Sequence, residues 1–329
     1  MNVEKILAGK GRLIDKELES VFPNFSVPNL HDAVYYHLGT GGKRLRPVMA
    51  IATCEALGGN VQQVIPFAAA CEILHQWVLV HDDIMDGDRV RREKPAVWVK
   101  YGLAHGINTG DYMAQKVYEL ILRSKNYNVG NETVFRLLEA MVTAVTKTAE
   151  GQAMDINLRT NDKPTEKEYM HMVTGKTAYY LTIPIVGGAI IAGADKKLLN
   201  DIIKFGNFIG PAFQITDDVL DLTAGKGRGE IGRDIKEGKK SILVVHCLSK
   251  CSSAERKMLL GILNKPTDKT TNDDVLAVKK LFEKYGSIEY SQGKAKELVL
   301  KAKEVTSEMP LPLRDILNEF ADYLVERRR

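Results

Sequence analysis

Cysteine and aromatic residues are few in this chain of 329 residues: four cysteines, two tryptophans and 7% aromatics in all. Cys54, Cys71, Cys247 and Cys251 form no Cys-x-x-Cys pair, and no second cluster completes a zinc set. They read as buried or incidental thiols of a reducing compartment. An excess of one charge is missing too. Lys and Arg number 46 against 42 Asp and Glu, too small a difference to argue for nucleic acid. The first residues, MNVEKILAGKGRLIDKELES, carry no long apolar core, so no signal peptide is expected. The longest apolar run, Leu181–Ala194, falls well short of the ~20 residues of a spanning helix. No transmembrane segment and a cytoplasmic location are expected. Period-two alternation, a βαβ rhythm, low-complexity linkers and short repeats are all absent.

What remains is helical and apolar. Hydrophobic residues make up 44% of the chain, enough to bury a large core. VIPFAAACEILHQWVLVHDDIMD is apolar on nearly every face until its acids, as in a helix buried within a bundle. NETVFRLLEAMVTAVTKTAEGQAMDI and LLNDIIKFGNFIGPAFQITDDVLDL repeat the style. DDVLAVKKLFEKYGSIEYSQGKAKELVLKAKEV reads as two amphipathic surface helices around Gly286. Pro184, followed by Gly187 and Gly188, is expected to interrupt the helix that carries Lys176 and Thr177. The fold class is therefore all-α, one single domain spanning residues 1–329.

Two acidic clusters share one spacing. Asp82, Asp83 and Asp86 follow the first apolar helix as D-D-x-x-D, and Asp217, Asp218 and Asp221 follow another. In each, the outer acids are i and i+4 and lie on one helix face, where they repel unless a cation compensates. All the donors are oxygens, which favours a hard ion, Mg²⁺ or Mn²⁺, over zinc. Magnesium held by few carboxylates takes further oxygens from phosphates, so the pattern fits a diphosphate.

Basic residues accompany both clusters. GTGGKRLRP supplies Lys43, Arg44 and Arg46 after flexible glycines, and it is not the G-x-x-x-x-G-K-[ST] phosphate loop. Arg91 and Arg92 follow the first cluster; Lys239 and Lys240 follow the second. Arginine forks bind phosphate oxygens in pairs. The distribution suggests two anionic substrates, one bound through metal and one directly by Lys and Arg.

The ordered set Gly42–Pro47, His75, Asp82–Asp86, Arg91-Arg92, Gly110-Asp111, Gly151-Gln152, Lys176-Thr177, Phe213-Gln214 and Asp217–Asp221 resembles the trans-isoprenyl diphosphate synthases. The resemblance covers roughly residues 39 to 245. It implies an all-α bundle around a deep central cavity, a homodimer and a need for magnesium. By the same resemblance, Asp82 and Asp86 hold two of three Mg²⁺ ions on an allylic diphosphate and Asp217 holds the third. Asp83, Asp218 and Asp221 are outer support. Lys43, Arg46, His75 and Arg92 bind isopentenyl diphosphate; Arg91, Lys176 and Lys239 hold the allylic diphosphate. Thr177 and Gln214 offer oxygens to the developing carbocation. One departure stands out. The family has a second lysine about ten residues before the one matching Lys239, where this chain has Gly229 beside Glu230, with Lys226 three residues earlier.

Trp77 lies five residues before Asp82, roughly 7.5 Å along a helix axis. A bulky side chain there makes a floor for a growing chain. With a small residue, Val78, beside it, the pattern looks like that of archaeal-type geranylgeranyl diphosphate synthases. A twenty-carbon product is expected, with fifteen carbons or a longer chain as alternatives. Rival classes fit less well. A class I terpene cyclase has Asn, Ser and Glu in its second metal motif. His81-Asp82 suggests a phosphohydrolase, but its other ligands are missing. A non-catalytic partner subunit tends to lose the acidic motifs, and both are intact here.

Overall fold

The computed structural model describes residues 10–22, 27–223 and 231–326. Lys226, Gly229, Glu230 and the terminal arginines fall outside the described residues. Among the described residues, sixteen α-helices are labelled in chain order: α1 (Asp15–Ser20), α2 (His31–Leu38), α3 (Leu45–Ala56), α4 (Val61–Met85), α5 (Val97–Tyr101), α6 (Leu103–Arg123), α7 (Asn131–Leu158) and α8 (Glu166–Val173). Then follow α9 (Tyr179–Ile191), α10 (Lys196–Asp221), α11 (Arg233–Lys236), α12 (Ile242–Lys250), α13 (Ser253–Leu263), α14 (Asn272–Lys284), α15 (Ser287–Thr306) and α16 (Leu311–Glu326). The all-α expectation holds. The sheet among the described residues is a hairpin of β1 (Val90–Arg91) and β2 (Lys94–Pro95).

The chain forms two compact units. One comprises Met1–Thr143, Thr182–Ile203 and Glu308–Glu319; the other comprises Ala144–Leu181, Lys204–Ser307 and Phe320–Arg329.

In the first unit, α4 is the central helix and packs on α6 and α3. Asn60 caps its start, its side chain accepting from Gln62 N at 2.9 Å. Phe67, Cys71 and Ile73 are fully buried, the Phe67 and Ile73 side chains each worth roughly 1.5–3 kcal/mol against exposure. By length and composition α4 is apolar enough to cross a membrane, but 72% of that stretch is buried inside the protein, which makes it a core helix.

The expected break at Pro184 does not occur. Helix α9 runs through that proline from Tyr179 to Ile191. The irregularity lies earlier, in a π-helical turn over Thr174–Ala178. Gly187 and Gly188 serve packing instead. A Cβ on Gly187 would meet the Phe67 ring at 1.8 Å, and one on Gly188 would meet the Ala50 carbonyl oxygen at 2.4 Å. Both glycines admit neighbours that any side chain would exclude.

In the second unit, Ile235, Leu243, Cys247, Leu259, Val278 and Phe282 belong to one buried cluster. Capping boxes start α8 (Thr165 with Glu168), α13 (Ser252 with Glu255) and α14 (Thr271 with Asp274). Gly286, at φ 64°, turns α14 into α15, as the sequence suggested.

Candidate active site

The first acidic cluster is a helix end. Helix α4 stops at Met85, and Gly87 takes the left-handed conformation at φ 69° that ends a helix. Asp88 N then bonds Asp83 O at 2.8 Å, and Gly87 N bonds Ile84 O at 3.3 Å. This cap leaves Asp82 and Asp86 one turn apart; Asp82 is half-buried and Asp86 buried. Asp83 points inward and is buried. Arg91 Nε donates to its Oδ1 at 2.8 Å, and the Arg91 Nη2 group contacts the same oxygen and Asp88 Oδ2. Burial pushes the Asp83 pKa up to about 6 against the pull of Arg91, with Asp88 and Asp82 adding to the rise.

The β hairpin delivers that arginine, and the sequence reading did not anticipate it. Arg92 and Glu93 both have positive φ, 52° and 64°, forming the tight two-residue turn that suits a hairpin. Arg91 is buried and Arg92 half-buried. Arg92 Nη1 donates to Thr40 Oγ1 at 3.1 Å. A Cβ on Gly42 would sit 3.2 Å from the same guanidinium, so the glycine-rich segment and Arg92 lie against each other. Asp88 was also missed. It is buried, and its carbonyl accepts from Trp98 Nε1 at 2.7 Å.

Lys43 is exposed and Arg46 buried at the start of α3. Between them Arg44 adopts φ 52° and pairs with Glu72 at 2.8 Å, which anchors the glycine-rich loop onto α4. His75 is half-buried on α4. Burial, with Arg46 and Arg92 nearby, holds its pKa well below the ordinary histidine value. His37, which no sequence signal marked, is buried beside it; burial and the Arg92 and Arg91 charges bring its pKa to about 3. Both imidazoles are neutral at neutral pH, so the positive charge here comes from the arginines. Trp77 and Val78, on the same helix, are half-buried. The Trp77 indole donates to His81 Nδ1 at 3.2 Å.

The second acidic cluster ends α10. Asp217 is half-buried; Asp218 and Asp221 are buried. Asp218 is held on both oxygens: Tyr169 Oη donates to Oδ2 at 2.8 Å and Gln214 Nε2 to Oδ1 at 2.9 Å. Thr177 Oγ1 bonds Gln214 Oε1 at 3.2 Å. The structure thus joins Thr177, Gln214 and Asp218, and adds Tyr169, which the sequence reading missed. Burial, then the charge of Asp218, raises the Tyr169 pKa well above its ordinary value, so the phenol stays a donor. Asp221 Oδ2 accepts from Asp234 N at 3.0 Å and thereby caps the short helix α11.

Lys176 sits on the π-helical turn and donates to Asp155 Oδ2 at 2.6 Å. The turn is hemmed in. A Cβ on Gly151 would meet Lys176 N at 2.0 Å, and one on Gly210 would meet Ala178 Cα at 2.4 Å. Lys239 pairs with Glu237 at 2.6 Å and Asp234 at 3.5 Å. Its neighbour Lys240 turns inward. It is buried and donates to the Arg159 carbonyl at 2.6 Å, and burial brings its pKa to about 8.

The donor chemistry fits magnesium. Both clusters offer carboxylates alone, the set a hard cation prefers. Asp83 Oδ2 is a buried oxygen with no hydrogen-bond partner among the described residues. Asp83, Asp218 and Asp221 each bond a neighbouring protein group, the arrangement that orients ligand carboxylates beside them.

Three kinds of likeness bear on the site. The family model for polyprenyl synthetase matches residues 27–282. A geranylgeranyl diphosphate synthase of Sulfolobus acidocaldarius is 35% identical, over 92% of this chain and 92% of its own. One of Methanosarcina mazei is 34% identical, over 95% of this chain and 94% of its own. The crystal structure of geranylgeranyl pyrophosphate synthetase from Pyrococcus horikoshii Ot3 superposes with a TM-score of 0.89 at 34% identity, covering 99% of this chain and 98% of that one. The family match takes in both acidic clusters, and the chain belongs to the polyprenyl synthetase family.

Proposed function

We propose that this chain is a prenyltransferase. It condenses isopentenyl diphosphate head-to-tail (1′-4) with an allylic diphosphate, releases diphosphate, and makes geranylgeranyl diphosphate. The observation that carries this is the pair of intact D-D-x-x-D helix ends within a family match that runs through both. The whole chain acts as one isoprenyl diphosphate synthase domain, as a cytoplasmic homodimer. Exposed apolar side chains on α6 and α7, Leu103, Ile107, Phe135 and Val142, support a partner copy.

Asp82, Asp86 and Asp217 would hold three Mg²⁺ ions, with Asp83, Asp218 and Asp221 as support. Bound magnesium supplies positive charge to the departing diphosphate. Arg91, Lys176 and Lys239 hold the allylic diphosphate by charge-assisted bonds. Arg91 also pairs with the buried Asp83. Lys43, Arg46 and Arg92, with neutral His75, hold isopentenyl diphosphate. As the allylic C–O bond breaks, Thr177 and Gln214 present oxygens to the carbocation. The isopentenyl double bond attacks it, a proton leaves, and the released diphosphate takes that proton. Water must be excluded for the cation to survive.

The test is a product assay. The protein is incubated with isopentenyl diphosphate and dimethylallyl, geranyl or farnesyl diphosphate, with Mg²⁺ or chelator. A Mg-dependent twenty-carbon alcohol after dephosphorylation supports the proposal. A stop at fifteen carbons, or longer chains, keeps the reaction and moves the floor. No elongation from any starter sinks the enzyme assignment in favour of a partner subunit.

A further inference from the structure

Bulk at the floor position stops a growing chain only if the ring stays in place. Trp77 has two rotatable side-chain bonds, and a ring that swings aside leaves a gap. Its far edge is pinned. The indole N–H donates to His81 Nδ1 at 3.2 Å, one helical turn toward the acidic end, and the two rings meet edge to face with centroids 6.3 Å apart. Indole is a donor only, so His81 Nδ1 is the acceptor and the ring proton sits on Nε2. That Nε2–H faces the Ile107 carbonyl oxygen at 3.2 Å, with Asp111 Oδ1 at 3.6 Å. The histidine is therefore held at both nitrogens, and its tautomer follows from its partners.

Helix α6 is shaped to receive it. A Cβ on Gly110 would lie 2.1 Å from His81 Nε2 and 2.3 Å from Cδ2, so the imidazole rests on bare backbone there. Any side chain at position 110 displaces the ring. A relay results: α6 backbone, His81, Trp77.

We propose that His81 is a positioning residue for product length: through its bond to the Trp77 indole it locks the floor. The proposal rests on the assignment of Trp77 as that floor. It gives a role to the histidine that directly precedes Asp82, and it explains the glycine of the Gly110-Asp111 pair by contact rather than by turn geometry.

The experiment reads product distribution from farnesyl diphosphate and isopentenyl diphosphate with Mg²⁺, for the parent and for His81→Leu, His81→Gln, Trp77→Ser and the double variant. One lost hydrogen bond corresponds to a factor of about five. His81→Leu is expected to raise the ratio of longer products to twenty-carbon product about five-fold. His81→Gln keeps an acceptor and a donor and is expected to restore most of the parent distribution. Trp77→Ser lengthens products more, and adding His81→Leu to it changes nothing further. If Trp77→Ser lengthens products while His81→Leu leaves them unchanged, the floor stands and the lock is wrong. If Trp77→Ser itself changes nothing, the floor assignment fails and the lock falls with it. A second measurement needs no His81 variant. The Trp77 indole N–H resonance, assigned by its loss in Trp77→Phe, should be downfield and slow to exchange. A freely exchanging resonance overturns the lock.

Discussion

Lys176 donates to Asp155 at 2.6 Å, and the carboxylate it meets is buried on α7. A lysine on an irregular turn is thereby tied to a regular helix. Burial alone would lift the Asp155 pKa, but Lys176, Lys239 and Arg159 outweigh it and hold it below the ordinary carboxylate value. A folded pKa below the unfolded one contributes stability that is complete above the unfolded value, ~3.9. That contribution is lost as pH falls through the folded value. Asp155→Asn is expected to cost about 2 kcal/mol at neutral pH and to flatten the acid limb of stability. Urea midpoints measured from pH ~7 down to ~3 check both. An unchanged acid limb would place the acid sensitivity elsewhere.

Tyr169 carries a similar burden for Asp218. Its hydroxyl donates from a buried position, where losing the bond leaves Asp218 Oδ2 short of one partner. Tyr169→Phe removes the donor and keeps the ring. The expected result is a loss of about 1–3 kcal/mol in stability and a rise of roughly ten-fold in the Mg²⁺ needed for half-maximal activity. Magnesium titration of the product assay, with parallel denaturation, separates the two effects. A stability loss with no change in magnesium demand would confine Tyr169 to packing.

Within the second acidic cluster, the acids should separate by phenotype. Asp221 accepts from Asp234 N and caps α11. Asp221→Ala is expected to lower stability by about 1–2 kcal/mol, as cap removal does. Asp217, proposed to hold metal, should behave the other way. Asp217→Asn is expected to cut activity by roughly 10²–10³, the scale of losing one charge-stabilising group, with little change in melting temperature. Equal destabilisation by both substitutions would contradict the division.

The helix ends that carry these acids are legible from residues alone. D-D-x-x-D after an apolar helical run places two acids on one face; the left-handed Gly87 that ends α4 is seen in the structure. The partners of those acids are less legible. Asp155 meets Lys176 across 21 residues and Tyr169 meets Asp218 across 49, separations no local pattern encodes. The β1–β2 hairpin has two residues per strand, too short for alternation to register. Proline drew the helix break to position 184 in the sequence reading. Yet Pro184 is accommodated within α9, and the π-helical turn lies where glycines let other backbone approach.

Those glycines supply the last prediction. In a helix interior, Gly→Ala is normally stabilising by about 1 kcal/mol. Gly293, inside α15, has nothing within 4 Å of its would-be Cβ. Gly293→Ala is therefore expected to gain roughly 0.5–1 kcal/mol and leave activity unchanged. Gly151, inside α7, should do the opposite. Its Cβ would lie 2.0 Å from Lys176 N and 2.5 Å from Lys176 Cα, backbone atoms that no rotamer can move aside. Gly151→Ala must push the π-helical turn away and carry Lys176 and Thr177 with it. The expected outcome is a loss of about 1–3 kcal/mol in stability and a fall in kcat for condensation, since reactive groups displaced by ~1 Å can cost about 10²-fold. Thermal denaturation and steady-state kinetics on the two variants decide it. If Gly151→Ala gains stability as Gly293→Ala does, the close approach of α7 to Lys176 is not what shapes the turn.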